Sequence, residues 1–195
     1  NAIDFYNKIK SLNSNEKSKS IKNGLARAYA SIGVVYSEVN NYSIALDYYF
    51  KALKVYQEIN NKNSISKAYN NIGVVYKSQK NYGKAIDYLL KALQIQNELK
   101  ESTLPVTLTN IGAIYFEQGN LELAWTYYSK AKSEFEKTEK SRNYGLLLNY
   151  MAEFYSKKGN ASEALHYYNE ALKSYLALDN LFGAALVNYN LGDYY

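Results

Sequence analysis

Residues 68–93 read AYNNIGVVYKSQKNYGKAIDYLLKAL. Apolar and small residues recur at three- and four-residue spacing on both sides of a polar turn, Lys80-Asn81, so the stretch predicts two amphipathic helices folded into a hairpin. The rest of the chain repeats it. The first-helix pattern returns as YASIGVVY (29–36), LTNIGAIY (108–115), LNYMAEFY (148–155) and NYNLGDYY (188–195). Its small residue falls at Gly33, Gly73, Gly112, Ala152 and Gly192, at spacings of 40, 39, 40 and 40. The second-helix pattern returns as AIDFYNKI from Ala2, ALDYYFKAL from Ala45, AWTYYSKAK from Ala124 and ALHYYNEAL from Ala164. A fixed period of this size means stacked units, each burying its apolar face on its neighbours.

The units divide the chain, as one domain over 1–195, into a half repeat at 1–21, repeats at 22–62, 63–101, 102–141 and 142–180, and a half repeat at 181–195. The predicted helices are 2–12, 22–38, 42–59, 65–78, 82–100, 104–118, 121–138, 142–158, 161–178 and 182–195. Within units the turns are Asn40-Asn41, Lys80-Asn81, Gly119-Asn120 and Gly159-Asn160; Asn60 to Ser64 and Leu178 to Asn180 read as longer polar links between units. Leu12 to Ser20 reads as the longest weakly structured link. Pro105 sits near the start of its helix, where a missing N–H costs nothing. The chain opens on a second helix and closes on a first, so it reads as a piece of a longer protein.

Composition removes several functions. With no cysteine there are no disulfides, thiolate zinc sites or cysteine nucleophiles. The lone histidine, His166, denies the chain a histidine-rich metal site or a His-based triad. It is expected to face solvent, because its counterparts in other units are polar. The glycines are isolated, so there is no phosphate loop, and Glu134 and Glu136 point to different sides of their helix. No cofactor or catalytic group is expected. No apolar run approaches the roughly 18 residues of a membrane span. A cysteine-free chain survives in either redox environment; a cytoplasmic location is the expectation.

The formal net charge of +5 is uneven: residues 1–100 carry 15 Lys and Arg against 7 Asp and Glu, and residues 101–195 carry 8 against 11. Chance asymmetry on a solvated surface is one reading, and a basic half that attracts an acidic partner is the other. The basic residues are dispersed and form no run, which argues against nucleic acid.

Placed in register, the units resemble the tetratricopeptide repeat. With the small residue of each first helix as position 8, position 4 is Tyr29, Tyr69, Leu108 and Leu148, position 7 is Ile32, Ile72, Ile111 and Met151, and position 11 is Tyr36, Tyr76, Tyr115 and Tyr155. In the second helix, position 20 is Ala45, Ala85, Ala124 and Ala164, position 24 is Tyr49, Leu89, Tyr128 and Tyr168, and position 27 is Ala52, Ala92, Ala131 and Ala171. The units are about six residues longer than the common 34-residue repeat and lack its terminal proline. This variant is similar to the 40-residue repeats of LGN-type scaffolds, kinesin light chains and bacterial sensor proteins. The resemblance implies an all-α fold, a right-handed superhelical solenoid of antiparallel helix hairpins, that binds a protein or peptide segment.

Small residues at positions 8 and 20 let paired helices approach closely, and tyrosines at 11 and 24 fill the space beside that contact. Much of the unusual count of 23 tyrosines is thus packing. Tyr48, Tyr88, Tyr127 and Tyr167, one residue before position 24, are expected to be half buried. Trp125 is expected to pack between units.

On an ideal helix the residues at positions 2, 5, 9, 12 and 13 cluster opposite the hairpin contact, with 6 on their flank, and would line the concave surface of an array. There stand Arg27, Lys67, Asn70, Asn71, Lys77, Asn110, Asn149 and Asn190. A carboxamide both donates and accepts, so asparagines in register can pair with an extended peptide backbone, as the resemblance to asparagine ladders implies. Alternatively, they bond to neighbouring helices. Arg27, Lys67 and Lys77 could hold a carboxylate, while Phe116, Glu117, Leu146 and Glu153 turn the later part of the stripe apolar and acidic. The reading is a non-catalytic binding scaffold; its alternative is a sensory or regulatory segment of a larger signalling protein. Exposed terminal faces would also allow end-to-end self-association.

Overall fold

The computed structural model describes residues 15–137 and 141–194. The predicted helix at 2–12, the half repeat before Asn15 and Tyr195 lie outside them. Two compact units divide the chain, Asn1–Glu101 and Ser102–Tyr195, and the division falls between the second and third repeats. The described residues form helices and turns and contain no strand.

The first unit contains α1 (Asn15–Glu38), α2 (Tyr42–Glu58), α3 (Lys62–Ser78) and α4 (Tyr82–Leu99). Helices α1 and α2 pair, α3 and α4 pair, and α2 packs on α3. The second unit contains α5 (Leu104–Glu117), α6 (Leu121–Phe135), α7 (Arg142–Lys157), α8 (Ala161–Leu176) and α9 (Leu181–Tyr194). Here α5 pairs with α6 and α7 with α8, while α9 packs on α8 and α7. The hairpins are those read from the sequence. One expectation is corrected: α1 begins at Asn15, so the Asn15–Ser20 part of the expected weak link is helical. Its polar residues, with Lys17, Lys19 and Ser20 exposed, carry no apolar period that could have announced a helix.

A single turn design accounts for most of the boundaries. The helix before each turn ends in a left-handed residue: Asn40 (φ 58°), Asn60 (φ 54°), Lys80 (φ 57°), Gly119 (φ 80°), Gly159 (φ 71°) or Asp179 (φ 51°). The asparagine that follows serves both helices. Its backbone N–H donates back to the helix just ended, as in Asn41 to Tyr36 (2.8 Å), Asn81 to Tyr76 (2.9 Å) and Asn120 to Tyr115 (2.9 Å). Its side-chain oxygen accepts from the helix just begun, as in Asn61 from the Ser64 N–H (3.1 Å) and Asn120 from the Leu123 N–H (3.1 Å). The links at Asn60-Asn61 and Asp179-Asn180 are the same tight turn, not the longer links expected, and α3 therefore starts at Lys62. Between the units the design changes: Lys100 is left-handed (φ 51°), but Glu101 follows it and Thr103 makes no side-chain cap. The Glu101 carboxylate instead accepts from the buried Ser66 hydroxyl (2.9 Å).

The position-8 glycines are sites of close approach. A Cβ on Gly33 would stand 2.7 Å from the Tyr49 ring, on Gly73 2.7 Å from Leu89, and on Gly112 2.6 Å from Tyr128. Ala45, Ala85, Ala124 and Ala164 opposite them are fully buried. The position-24 tyrosines Tyr49, Tyr128 and Tyr168 are buried as expected. The position-11 tyrosines are only half buried, and each stacks on the tyrosine at position 23 of its own hairpin. The pairs are Tyr36–Tyr48 (6.0 Å between centroids), Tyr76–Tyr88 (5.6 Å), Tyr115–Tyr127 (5.6 Å) and Tyr155–Tyr167 (5.5 Å). Lys51, Lys91 and Lys130 lie over the position-23 rings at 4.9, 4.9 and 5.6 Å. Glu170 stands at the equivalent position of the fourth hairpin.

Candidate functional site

Helix α3 turns Ile72, Gly73 and Val75 into the core and leaves Lys67 exposed, with Asn70, Asn71 and Lys77 half buried on the opposite side. At 100° per residue these four share one face of α3. Arg27 is exposed on α1, and its positive charge partly offsets the burial that raises the pKa of Tyr56. This face is polar and basic.

The second unit is different. Asn110 is half buried on α5, whereas Thr109 beside it is buried and donates to the Pro105 carbonyl (2.8 Å). Asn149 on α7 is only 2% exposed. Its amide donates to Glu153 Oε1 (2.6 Å), and its oxygen accepts from the Asn190 amide (3.0 Å). Asn190 also donates to Glu153 Oε1 (3.2 Å). These two asparagines therefore tie α9 to α7, which is the helix-to-helix alternative open in the sequence. Asn149 presents almost no surface to a partner.

Around this network lie Tyr128 and Tyr150, which the sequence did not mark as a site, with Glu117 and Glu153 of the acidic part of the stripe. Tyr128 on α6 passes across Gly112, and its ring stacks on Tyr150 of α7 (6.1 Å, 5° between planes). Its hydroxyl is buried without a hydrogen-bond partner among the described residues. Burial, then Tyr150, then the charges of Glu153 and Glu117, push the Tyr128 pKa far up. Burial first, then Glu153 and Glu117, push Tyr150 up to about 12. Both phenols are neutral at physiological pH, and both feel the same two carboxylates. The signal was present in the sequence as Glu117 and Tyr128 in one repeat facing Tyr150 and Glu153 in the next, but only the packing brings them together. Lys157 sits over the neighbouring Phe116 ring at 4.9 Å.

His166 is exposed, against the edge of Tyr167 (5.2 Å), as expected of a solvent-facing residue. Trp125 packs on Phe154 (5.1 Å) and Tyr155 (5.2 Å) of the following repeat, beside a cleft of about 420 Å³ that Glu122 and Lys158 flank. The described residues contain no cluster of metal-ligating side chains, and no helix among them is long and apolar enough to cross a membrane.

The tetratricopeptide repeat family model matches residues 24–98, 64–131 and 103–177. The chain belongs to the tetratricopeptide repeat family. No curated protein matches its sequence significantly. Among solved structures, this tetratricopeptide repeat chain is similar to the Rap conjugation gene regulator of plasmid pLS20 in complex with the Phr* peptide (TM-score 0.81, 18% identity, covering 92% of this chain and 52% of that one). Similar too are aspartyl phosphate phosphatase F of Bacillus subtilis (0.78, 18%, 89% and 47%) and BtubC (BKLC) of P. vanneervenii (0.72, 15%, 91% and 72%). At these identities the likeness is one of fold. The chain spans about half the length of the Rap regulator and the phosphatase.

Proposed function

We propose that this tetratricopeptide repeat chain is a non-catalytic binding module that takes a polypeptide segment along the exposed face of its first helices. The observation that carries the reading is the α3 face, where Lys67, Asn70, Asn71 and Lys77 share one side of a helix whose other side is core. Carboxamides there can meet both the N–H and the C=O of an extended backbone, and the ammonium groups favour carboxylates on the partner. Peptide capture by a repeat array of this fold has a precedent in the peptide complex of the pLS20 Rap regulator. Peptides selected by display on the whole chain provide the test. Asn71→Ala and Asn110→Ala should each weaken calorimetric affinity by about 1 kcal/mol. Unchanged affinity in both would refute the asparagine reading.

A second reading places the module as a regulatory segment of a larger signalling protein. It is favoured by the chain's match to about half of a gene regulator. Its test is whether the peptide changes the activity of the full-length protein.

A further inference from the structure

We propose that the second unit carries a subsite for an organic cation, the guanidinium or ammonium group of a basic partner residue, formed by Glu117, Tyr128, Tyr150, Glu153 and Asn190. The inference deepens the peptide-binding reading and rests on it.

The geometry follows from Gly112. Because no Cβ stands there, the Tyr128 ring packs across Gly112 of α5 and stacks on Tyr150 of α7, and the charges of Glu153 and Glu117 act on its hydroxyl. Tyr128 is 0% exposed and its hydroxyl has no hydrogen-bond partner among the described residues. A buried hydroxyl left in this state is costly, so a group from outside that bonds to it is favoured. The group that fits is a donor. Carboxylate oxygens accept only, and a phenol oxygen beside them accepts readily. A guanidinium offers five N–H donors in a plane and stacks on aromatic rings, so it matches two carboxylates beside a pair of parallel tyrosines. The Asn149–Asn190 pair holds Glu153 in place with bonds of 2.6 and 3.2 Å. The excess of acidic over basic residues in 101–195, 11 against 8, adds long-range attraction.

Other repeats do not assemble the same set. Tyr49 in the first hairpin has Glu38 near it, as Tyr128 has Glu117, but the following first helix offers Asn71 and Val74 where α7 offers Tyr150 and Glu153. The subsite is thus particular to one junction of the second unit.

The test titrates acetyl-arginine amide, acetyl-lysine amide and the neutral isostere acetyl-citrulline amide into the isotope-labelled chain, followed by NMR. The arginine and lysine amides should shift the Asn149 and Asn190 side-chain amides and the Glu117 and Glu153 backbone amides. The citrulline amide should bind about tenfold more weakly or less. Glu117→Gln, at an exposed position compatible with folding, should weaken arginine binding about tenfold, and Tyr128→Phe several-fold. Equal response to arginine and citrulline, no shift at these residues, or an arginine response that both substitutions leave unchanged would overturn the proposal. The broader reading fails separately. If display-selected peptides ignore Asn71→Ala and Asn110→Ala while arginine amide still binds here, the subsite stands without the asparagine groove.

Discussion

Tyr128 lies so close to Gly112 that a Cβ on the glycine would stand 2.6 Å from its Cδ1. The ring is wholly buried and backed by Tyr150, so it has little room to retreat. Gly112→Ala should therefore destabilise the chain by about 1–2 kcal/mol, although alanine is the better helix former. At the equivalent place in the fourth hairpin Ala152 is native and buried beside Tyr168. Ala152→Gly should also destabilise, by about 1 kcal/mol, from helix propensity alone. Denaturant unfolding of the two variants checks both signs.

The turn asparagines act on two helices each. Asn61→Ala and Asn120→Ala should each cost about 1 kcal/mol, because the N–H of Ser64 or Leu123 loses its partner. The backbone half of the turn survives the substitution, so the fold should persist. Thermal unfolding, with circular dichroism to show retained helix, measures the loss.

Asn190→Ala should loosen α9 specifically. It removes the donor to both Asn149 and Glu153, leaving the half-buried Glu153 carboxylate with one fewer bond. A cost of about 1–2 kcal/mol follows, expressed as faster amide exchange in Leu181–Tyr194 with little change in α5.

Alkaline pH should destabilise the first unit through Tyr49. Burial, and secondarily the charge of Glu38, push its pKa up to about 12 from an unfolded value of 10. Below pH 10 the tyrosine is neutral in both states and its contribution is intact. Between pH 10 and 12 the unfolded chain releases the proton and the folded chain does not, so stability falls as pH rises. Tyr49→Phe should reduce that fall in a series of denaturation midpoints across the window.

Self-association, expected from the sequence, has a concrete test at α9. Leu181 (73% exposed), Phe182 (81%) and Tyr189 (67%) leave it with an exposed apolar surface. If copies stack through this surface, Phe182→Ser should lower the concentration-dependent light scattering of the chain.

Residues with a strictly local cause were legible in the sequence. Gly33, Gly73 and Gly112 recur at one period, and their spacing alone fixes which helix face is core. Turns such as Gly119-Asn120 are written in two adjacent residues. The start of α1 was hidden because its first turns are polar and solvated, so no apolar period exists to read. The Asn149–Asn190 bond joins residues 41 apart in sequence and depends on how α9 settles on α7. Tyr128 could be assigned to the core from its position, but not the burial of its hydroxyl without a partner among the described residues or the stacking of its ring on Tyr150, which need the packing of α6 on α7.

The central claim, that a partner lies along the first helices, is tested most directly by hydrogen exchange of the whole chain with and without a display-selected peptide. The account predicts added protection in α3 and α5, centred on Asn70, Asn71 and Asn110, with α4 and α6 unchanged. Protection confined to the second helices α4 and α6 would contradict it.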